Sequence, residues 1–320
     1  MLNRLEFALA LGAAVAASPL PAGAQTAPVK LRVGTNAADN VTDLLWAKVS
    51  GMFTKAGLDV DVQKLTSGSA VTAAVLGGTL DIGRTSLLPL ISARNRGIPV
   101  QLIAPAELGI AGDPSGGIIT LKDSPVRTGR DLNGQTLPSP SLRDFFEITL
   151  RAWIDQNGGD SRTVKFVELP VAADLAALEA GRIAAAAMAN PFLATALASG
   201  KVRLLGRPND VIGKRFLITG WFATEAFIAA NRDAVAKFAA TLQQAAAYTD
   251  THQSEAVSVT APFWGLDPSI ILAMAKRPAA TSLDPKEIQP LMDLALHYGV
   301  IDKPMKAEAM ISSIGVRPKP

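Results

Sequence analysis

The stretch SAVTAAVLGGTLDIGRTSLLP, residues 69–89, returns about a hundred positions later as AADLAALEAGRIAAAAMANP, residues 172–191. A shift of 103 positions superposes Ala73, Ala74, Val75 and Gly78 on Ala176, Ala177, Leu178 and Gly181, and lays Leu80 and Ile82 over Ile183 and Ala185. Both copies read as an Ala-rich helix with apolar residues at helical spacing. A Gly follows where a C-terminal cap tolerates positive φ, and then a short apolar strand. The charges differ: the first copy carries Asp81 and Arg84 where the second has Ala184 and Ala187.

The likeness extends upstream. KLRVGTNAADNVTDLLWAKVSGMFTKAGLDVDVQKL (30–65) and NGQTLPSPSLRDFFEITLRAWIDQNGGDSRTVKFVEL (133–169) both run strand, polar loop, amphipathic helix, Gly, strand. Strands alternating with helices of about 10–15 residues predict a parallel sheet flanked by helices. Two copies of one βαβαβ half therefore predict an α/β protein of two lobes, each a mostly parallel sheet with helices on its faces. AELGIAGDPSGGIITLK (106–122) has the Gly, Pro and Asp density of a crossing segment, and the strand through Phe216–Thr224 begins the return. Asn231 or Asp233 is placed to cap the long helix after it, and Asp267-Pro268 and Asp284-Pro285 mark two more helix starts. The expected division is a first lobe of 29–110 plus 218–320 and a second of 111–217, joined by a two-segment hinge.

Residues 1–24 read as a cleavable secretion signal: Arg4, an apolar run from Phe7 to Ala17, prolines at 19 and 21, and the small-residue triplet Ala22-Gly23-Ala24. The apolar run is short of the roughly 18 residues a spanning helix needs. The 320 residues contain no cysteine, which removes thiol nucleophiles, disulfides, thiolate metal sites and a lipoprotein anchor. The expectation is a periplasmic monomer without membrane insertion after signal cleavage. A net charge of +3 with no run of Lys or Arg leaves no electrostatic footprint for nucleic acid.

Ligands of open parallel sheets bind at the carboxyl ends of the strands, where loops and helix starts with unpaired N–H groups converge. The repeat names those loops, and against an Ala-rich background they hold Asn36, Asp39, Asn40, Ser67, Gly68, Ser69, Arg84, Thr85, Ser86, Ser139, Ser141 and Asn190. Ser67, Gly68 and Ser69 open a helix, where hydroxyls and backbone N–H groups suit an anionic or carbonyl oxygen; a plain helix cap by one Ser reads equally well. Arg84 follows its strand directly, and its planar fork suits a carboxylate or sulfonate, the alternative being pairing with an acid such as Asp39 or Asp81. Asn190 offers an amide beside the wall of Phe192, and Trp221 is placed either to stack on a flat ligand or to pack in the core. Arg143 reads as facing solvent or Glu147.

With these pieces placed, the chain resembles the extracytoplasmic solute-binding proteins of ABC importers in the nitrate, sulfonate and taurine group, a family that also includes binders of thiamine-pyrimidine precursors. The likeness rests on GLDVDVQKLTSGSAVTAAVLGGTLDIG, on LWAKVSGMFTKAGLDV and on LEAGRIAAAAMANP, and covers most of the chain after residue 24. It implies the two-lobed periplasmic binding protein fold of type II. It also implies a small solute trapped between the lobes and delivered to the permease and ATPase complex of an importer. The family's acidic residue before the closing Pro is Asn190 here, and Ala184 replaces a frequent Asp. The neutral amide of Asn190 weakens the expectation of a cationic solute, and the expected solute is a sulfonate, nitrate or carboxylate, with a pyrimidine-like heterocycle as the alternative.

Nothing in the sequence supplies an enzyme's equipment. His252 and His297 are the only histidines, both away from the predicted cleft, and no Walker loop, dinucleotide fingerprint, metal pair or nucleophile elbow occurs. An enzyme of the same fold acting on a small organic acid is the reading from another class. No cofactor is expected.

Overall fold

The computed structural model describes residues 27–36, 40–275 and 279–317. The signal predicted over 1–24, and Asp39, lie outside the described residues. The secondary-structure elements divide between the two copies of the repeat.

The first copy begins with β1 (Val29–Asn36), α1 (Thr42–Val49), α2 (Met52–Lys55), β2 (Leu58–Leu65), α3 (Gly68–Leu76) and β3 (Ile82–Ser86). It continues through α4 (Leu87–Asn95) into β4 (Val100–Ile110). The second copy holds β5 (Gly116–Leu121), β6 (Thr136–Ser139), α5 (Phe145–Gln156), β7 (Lys165–Glu168), α6 (Asp174–Glu179), β8 (Ala186–Ala189), α7 (Phe192–Ala198) and β9 (Val202–Gly206). The chain returns in β10 (Arg215–Thr224). It ends in α8 (Glu225–Ala230), α9 (Arg232–Thr251), α10 (Gln253–Trp264), α11 (Pro268–Ala273) and α12 (Pro285–His297).

The first sheet has the order β2-β1-β3-β10-β4, with β1 parallel to β2 and β3, and β10 antiparallel to both its neighbours. The second copy builds the pair β6-β7, which is parallel, and the trio β8-β5-β9, in which β5 is antiparallel to both neighbours. The two groups are joined where Ala184 N–H donates to Thr136 C=O at 3.1 Å; 103 positions earlier Asp81 N–H donates to Arg32 C=O at 2.8 Å. One strand of each sheet thus opposes the parallel direction, and in each case it is the strand that has just crossed from the other sheet. A strand entering from the far side has to run against strands that start at the near side.

The crossings lie at 111–115 and 207–214 and are tied to each other. Ala111 N–H donates to Lys214 C=O at 3.1 Å, Gly112 N–H to Asp210 Oδ1 at 2.8 Å, and Arg207 Nη1 to Asp113 C=O at 3.0 Å.

Local signals explain the boundaries. Ser67 caps α3 by accepting from Ala70 N–H at 3.2 Å. Asp267 and Asp284 each cap a helix with Pro at its first position, accepting from Ser269 N–H and Lys286 N–H at 2.8 and 2.9 Å. Asn231 stands at the start of α9 without a side-chain cap bond, while Thr224 caps α8 ahead of it. Adjacent residues of β10 face opposite layers. Phe222 packs with Leu87, Leu102, Ile288 and Leu291, whereas Trp221 packs with Leu31, Phe53 and Phe238, so α4 and α12 cover one face of the first sheet and α1 and α9 the other.

Gly78 and Gly181 close α3 and α6 at φ of 72° and 66°. A Cβ at either position would meet no atom within 4 Å, so a substitution there is strained by backbone conformation alone. Gly78→Ala and Gly181→Ala are each expected to cost about 1–2 kcal/mol, the penalty of a left-handed non-Gly residue, read as a lower denaturant midpoint at unchanged slope. A loss in one variant only would mean that the two turns are not equivalent.

Candidate functional site

Between the two sheets lies a cavity of about 120 Å³ where the starts of α3, α4, α5 and α7 meet. It is lined from the first half by Asn36, Ser67, Gly68, Ser69, Thr85 and Ser86, and from the second by Ser141, Asp144, Phe145, Phe146, Val171 and Phe192. The halves touch at its edge, where Ser69 Oγ and Ser141 Oγ are 3.0 Å apart. The loops indicated by the repeat come together here because both sheets present their parallel strand ends to the same gap.

Thr85 is fully buried and its Oγ1 has no hydrogen-bond partner. That hydroxyl faces Gly68: a Cβ on Gly68 would lie 2.0 Å from it. Glycine at the first residue of α3 therefore brings the helix start, with its unpaired backbone N–H groups, against a buried hydroxyl that lacks a partner.

Several predicted contacts lie elsewhere, and these are corrections. Arg84 does not line this cavity but a smaller one of about 60 Å³ that shares Glu107 with it. Its side chain is 1% exposed, with Nη2 3.2 Å from Glu107 Oε2 and 3.4 Å from Thr219 Oγ1, Nη1 3.9 Å from Asp43 Oδ1, and the guanidinium 5.7 Å from the Trp221 ring. Burial demands such pairing, and the acids that supply it come from α1 and β4. Trp221 is fully buried in the core, edge-on to Phe238 at 5.5 Å. Asn190 spans the halves without lining the cavity: its Nδ2 donates to Ala275 C=O at 2.9 Å, and its Oδ1 accepts from Ala194 N–H at 3.2 Å. Asn40 is used in starting α1, its Oδ1 accepting from Thr42 Oγ1 at 2.7 Å. Ser139 stands one residue behind the lining and donates through Oγ to Asp144 Oδ1. Arg143, read from the sequence as facing solvent or Glu147 and so no correction, is exposed with φ of 61°, its N–H donating to Glu147 Oε2 at 2.7 Å.

Glu107, Thr219 and Asp144 are polar groups of the lining that escaped sequence reasoning. Glu107 is a lone acid in the apolar run of β4, and that isolation was the available signal. Thr219 on β10 binds it, Oγ1 lying 3.3 Å from Glu107 Oε2. Asp144 caps α5, Oδ1 accepting from Glu147 N–H at 3.1 Å. Burial raises its carboxyl to about 6, against the hydrogen bonds from Ser139 and Glu147 that hold it down. Among the described residues, no Lys, Arg or His lines the cavity, so its attraction for an anion comes from helix starts and hydroxyls rather than from a formal charge. Among the same residues, no group of three or more His, Asp or Glu is placed to hold a metal ion.

The sequence profile of the family described as NMT1/THI5 like matches residues 38–256. A protein of Escherichia coli (strain K12) named as an aliphatic-sulfonate binder is 24% identical over 281 residues, covering 87% of this chain and 85% of its own. The alkanesulfonate-binding protein SsuA from Xanthomonas axonopodis pv. citri, solved bound to MOPS, superposes with a TM-score of 0.75 at 21% identity, over 89% of this chain and 98% of its own. The periplasmic nitrate-binding protein NrtA from Synechocystis PCC 6803 superposes with a TM-score of 0.74 at 12% identity, over 90% and 86%. The fold is that of these periplasmic binding proteins. No helix among the described residues is long and apolar enough to cross a membrane.

Proposed function

The chain belongs to the NMT1/THI5-like family, and from that premise we propose that it is the extracytoplasmic solute-binding component of an ABC importer, capturing a small anion between its two lobes. The observation that carries this reading is the polar cavity where helix starts from both halves converge on the buried, unpartnered hydroxyl of Thr85. The names of the full-length relatives, which bind sulfonates or nitrate, support it. In this reading 1–24 direct export to the periplasm, lobes of 29–110 plus 218–320 and of 111–217 rotate about the paired crossings, and the closed form docks on a permease as a monomer. Closure is driven by a solute that touches both lobes. The chain is a carrier and not an enzyme.

A solute held at micromolar affinity needs about 8 kcal/mol in all, and a hydrogen bond to a charged oxygen contributes about 1.5–3 kcal/mol of it. Thr85→Val keeps the shape and removes the hydroxyl. Calorimetry of the protein from Gln25 onward, with sulfonates, carboxylates and nitrate, is expected to show at least tenfold weaker anion binding, while the ligand-free variant melts at or above the wild-type temperature. Equal affinity in the variant removes Thr85 from the site. A wild type that binds no anion of the panel sinks the carrier reading.

A further inference from the structure

The polar groups of the cavity account for one end of a solute; the remaining walls are apolar and flat. Phe145, Phe146 and Phe192 line it together with Pro89, Val171 and Ile218. Phe145 and Phe146 stand edge to face, 5.9 Å apart at 78°, and Phe145 is braced from behind by Phe216 at 6.5 Å. Both of these rings come from the first turn of α5, directly after Asp144. A compact anion such as nitrate would not reach across to the ring faces that line the cavity. An aromatic ring among them gains edge or offset contacts beyond the area it buries.

Charge constrains the ligand further. The two carboxyl groups of the lining are not equivalent. Glu107 is 3.2 Å from the guanidinium of Arg84, whereas Asp144 is held by neutral donors, Ser139 Oγ and Glu147 N–H on Oδ1 and a backbone bond from Phe146. An all-acceptor solute spanning the cavity would present lone pairs to that carboxyl. A solute carrying a hydroxyl or amino group there would donate to it.

Building on the carrier reading, we infer that the solute is a ring-bearing monoanion: an aromatic carboxylate or sulfonate whose acidic group sits at the starts of α3 and α4 by Thr85, and whose ring donor is read by Asp144 as the specificity-determining residue.

The test is a calorimetric panel on the intact protein from Gln25: benzoate, 3- and 4-hydroxybenzoate, benzenesulfonate and 4-hydroxybenzenesulfonate, with butanesulfonate and nitrate as ringless anions. The same panel is run on Asp144→Asn. Asn is as good a helix cap as Asp, so the variant keeps α5, and its affinity for the unsubstituted ring acids serves as the control for folding. At least one hydroxylated ring acid is expected to bind wild type at least tenfold more tightly than its unsubstituted parent, with that gap falling below threefold in Asp144→Asn. Butanesulfonate or nitrate binding as tightly as every ring acid overturns the inference and leaves the carrier reading standing. A hydroxyl gap that survives in Asp144→Asn overturns the role of Asp144. Failure of every anion to bind overturns the carrier reading and this inference together.

Discussion

Arg84→Ala is expected to lower the stability of the ligand-free protein by about 3–5 kcal/mol, because it leaves buried carboxyls without the cation that compensates them. The guanidinium is 1% exposed and sits between Glu107 and Asp43 over the face of Trp221. Burial already pushes the Asp43 carboxyl up, with the charge of Arg84 opposing that shift. At about 2 °C per kcal/mol for a chain of this size, the melting temperature should fall by roughly 6–10 °C. Anion binding should weaken as well, since Glu107 lines the cavity and would face it without the guanidinium of Arg84. The ligand-free melt separates the two roles that Arg84 can play. A variant that melts with the wild type and has lost only its affinity would show a guanidinium that serves the ligand directly and not the fold. Replacing Arg84 and Glu107 together by Met should recover part of the loss, because a buried pair exchanged for apolar groups is often neutral or better.

Asp174→Asn should stabilise the protein, by an amount that grows with pH. Asp174 is 2% exposed at the start of α6, its Oδ1 has no hydrogen-bond partner, and burial raises its carboxyl to about 8. The unfolded chain holds this group near 3.9. Between about pH 4 and pH 8 the folded state therefore binds more protons than the unfolded one, and stability falls as pH rises through that window. Asp144, raised to about 6, acts in the same direction between about pH 4 and pH 6. Removing the Asp174 carboxyl should leave stability near pH 4 little changed and raise it at pH 8 by about 2–4 kcal/mol, after allowance for the buried amide that replaces it. Urea midpoints at the two pH values are the measurement; a variant less stable than wild type at pH 8 would show that the carboxylate is held by partners rather than merely desolvated. The repeat offers a comparison, since 103 positions earlier the same helix carries Val71, which is fully buried.

The tertiary structure explains why the two copies differ in charge. Asp81 accepts from the backbone N–H and guanidinium of Arg32 across the edge of β1, and Arg84 answers Glu107 and Asp43. In the second copy Ala187 joins the core around Leu150, Trp153 and Ile154. Asp81 and Arg84 each meet a partner from another element.

Much of the fold was written locally. The helix, glycine and strand grammar of 69–89 and 172–191, the caps at Asp267 and Asp284 and the apolar run of β10 involve residues near one another in the chain, so spacing alone revealed them. The cleft loops were legible for the same reason, since a parallel sheet sends its strand ends to one side. Pairing was not. Which acid faces Arg84, whether Trp221 meets a ligand or Phe238, and that Asn190 reaches Ala275 depend on residues 17 to 85 positions apart in the chain. The sequence by itself determined two copies of an α/β half and the loops that meet between them, because those follow from short-range periodicity. Only the tertiary structure decided that the guanidinium of Arg84 lies off the cavity and the hydroxyls, rings, Glu107 and Asp144 line it, because a buried group takes whichever partner the packing of distant elements brings near.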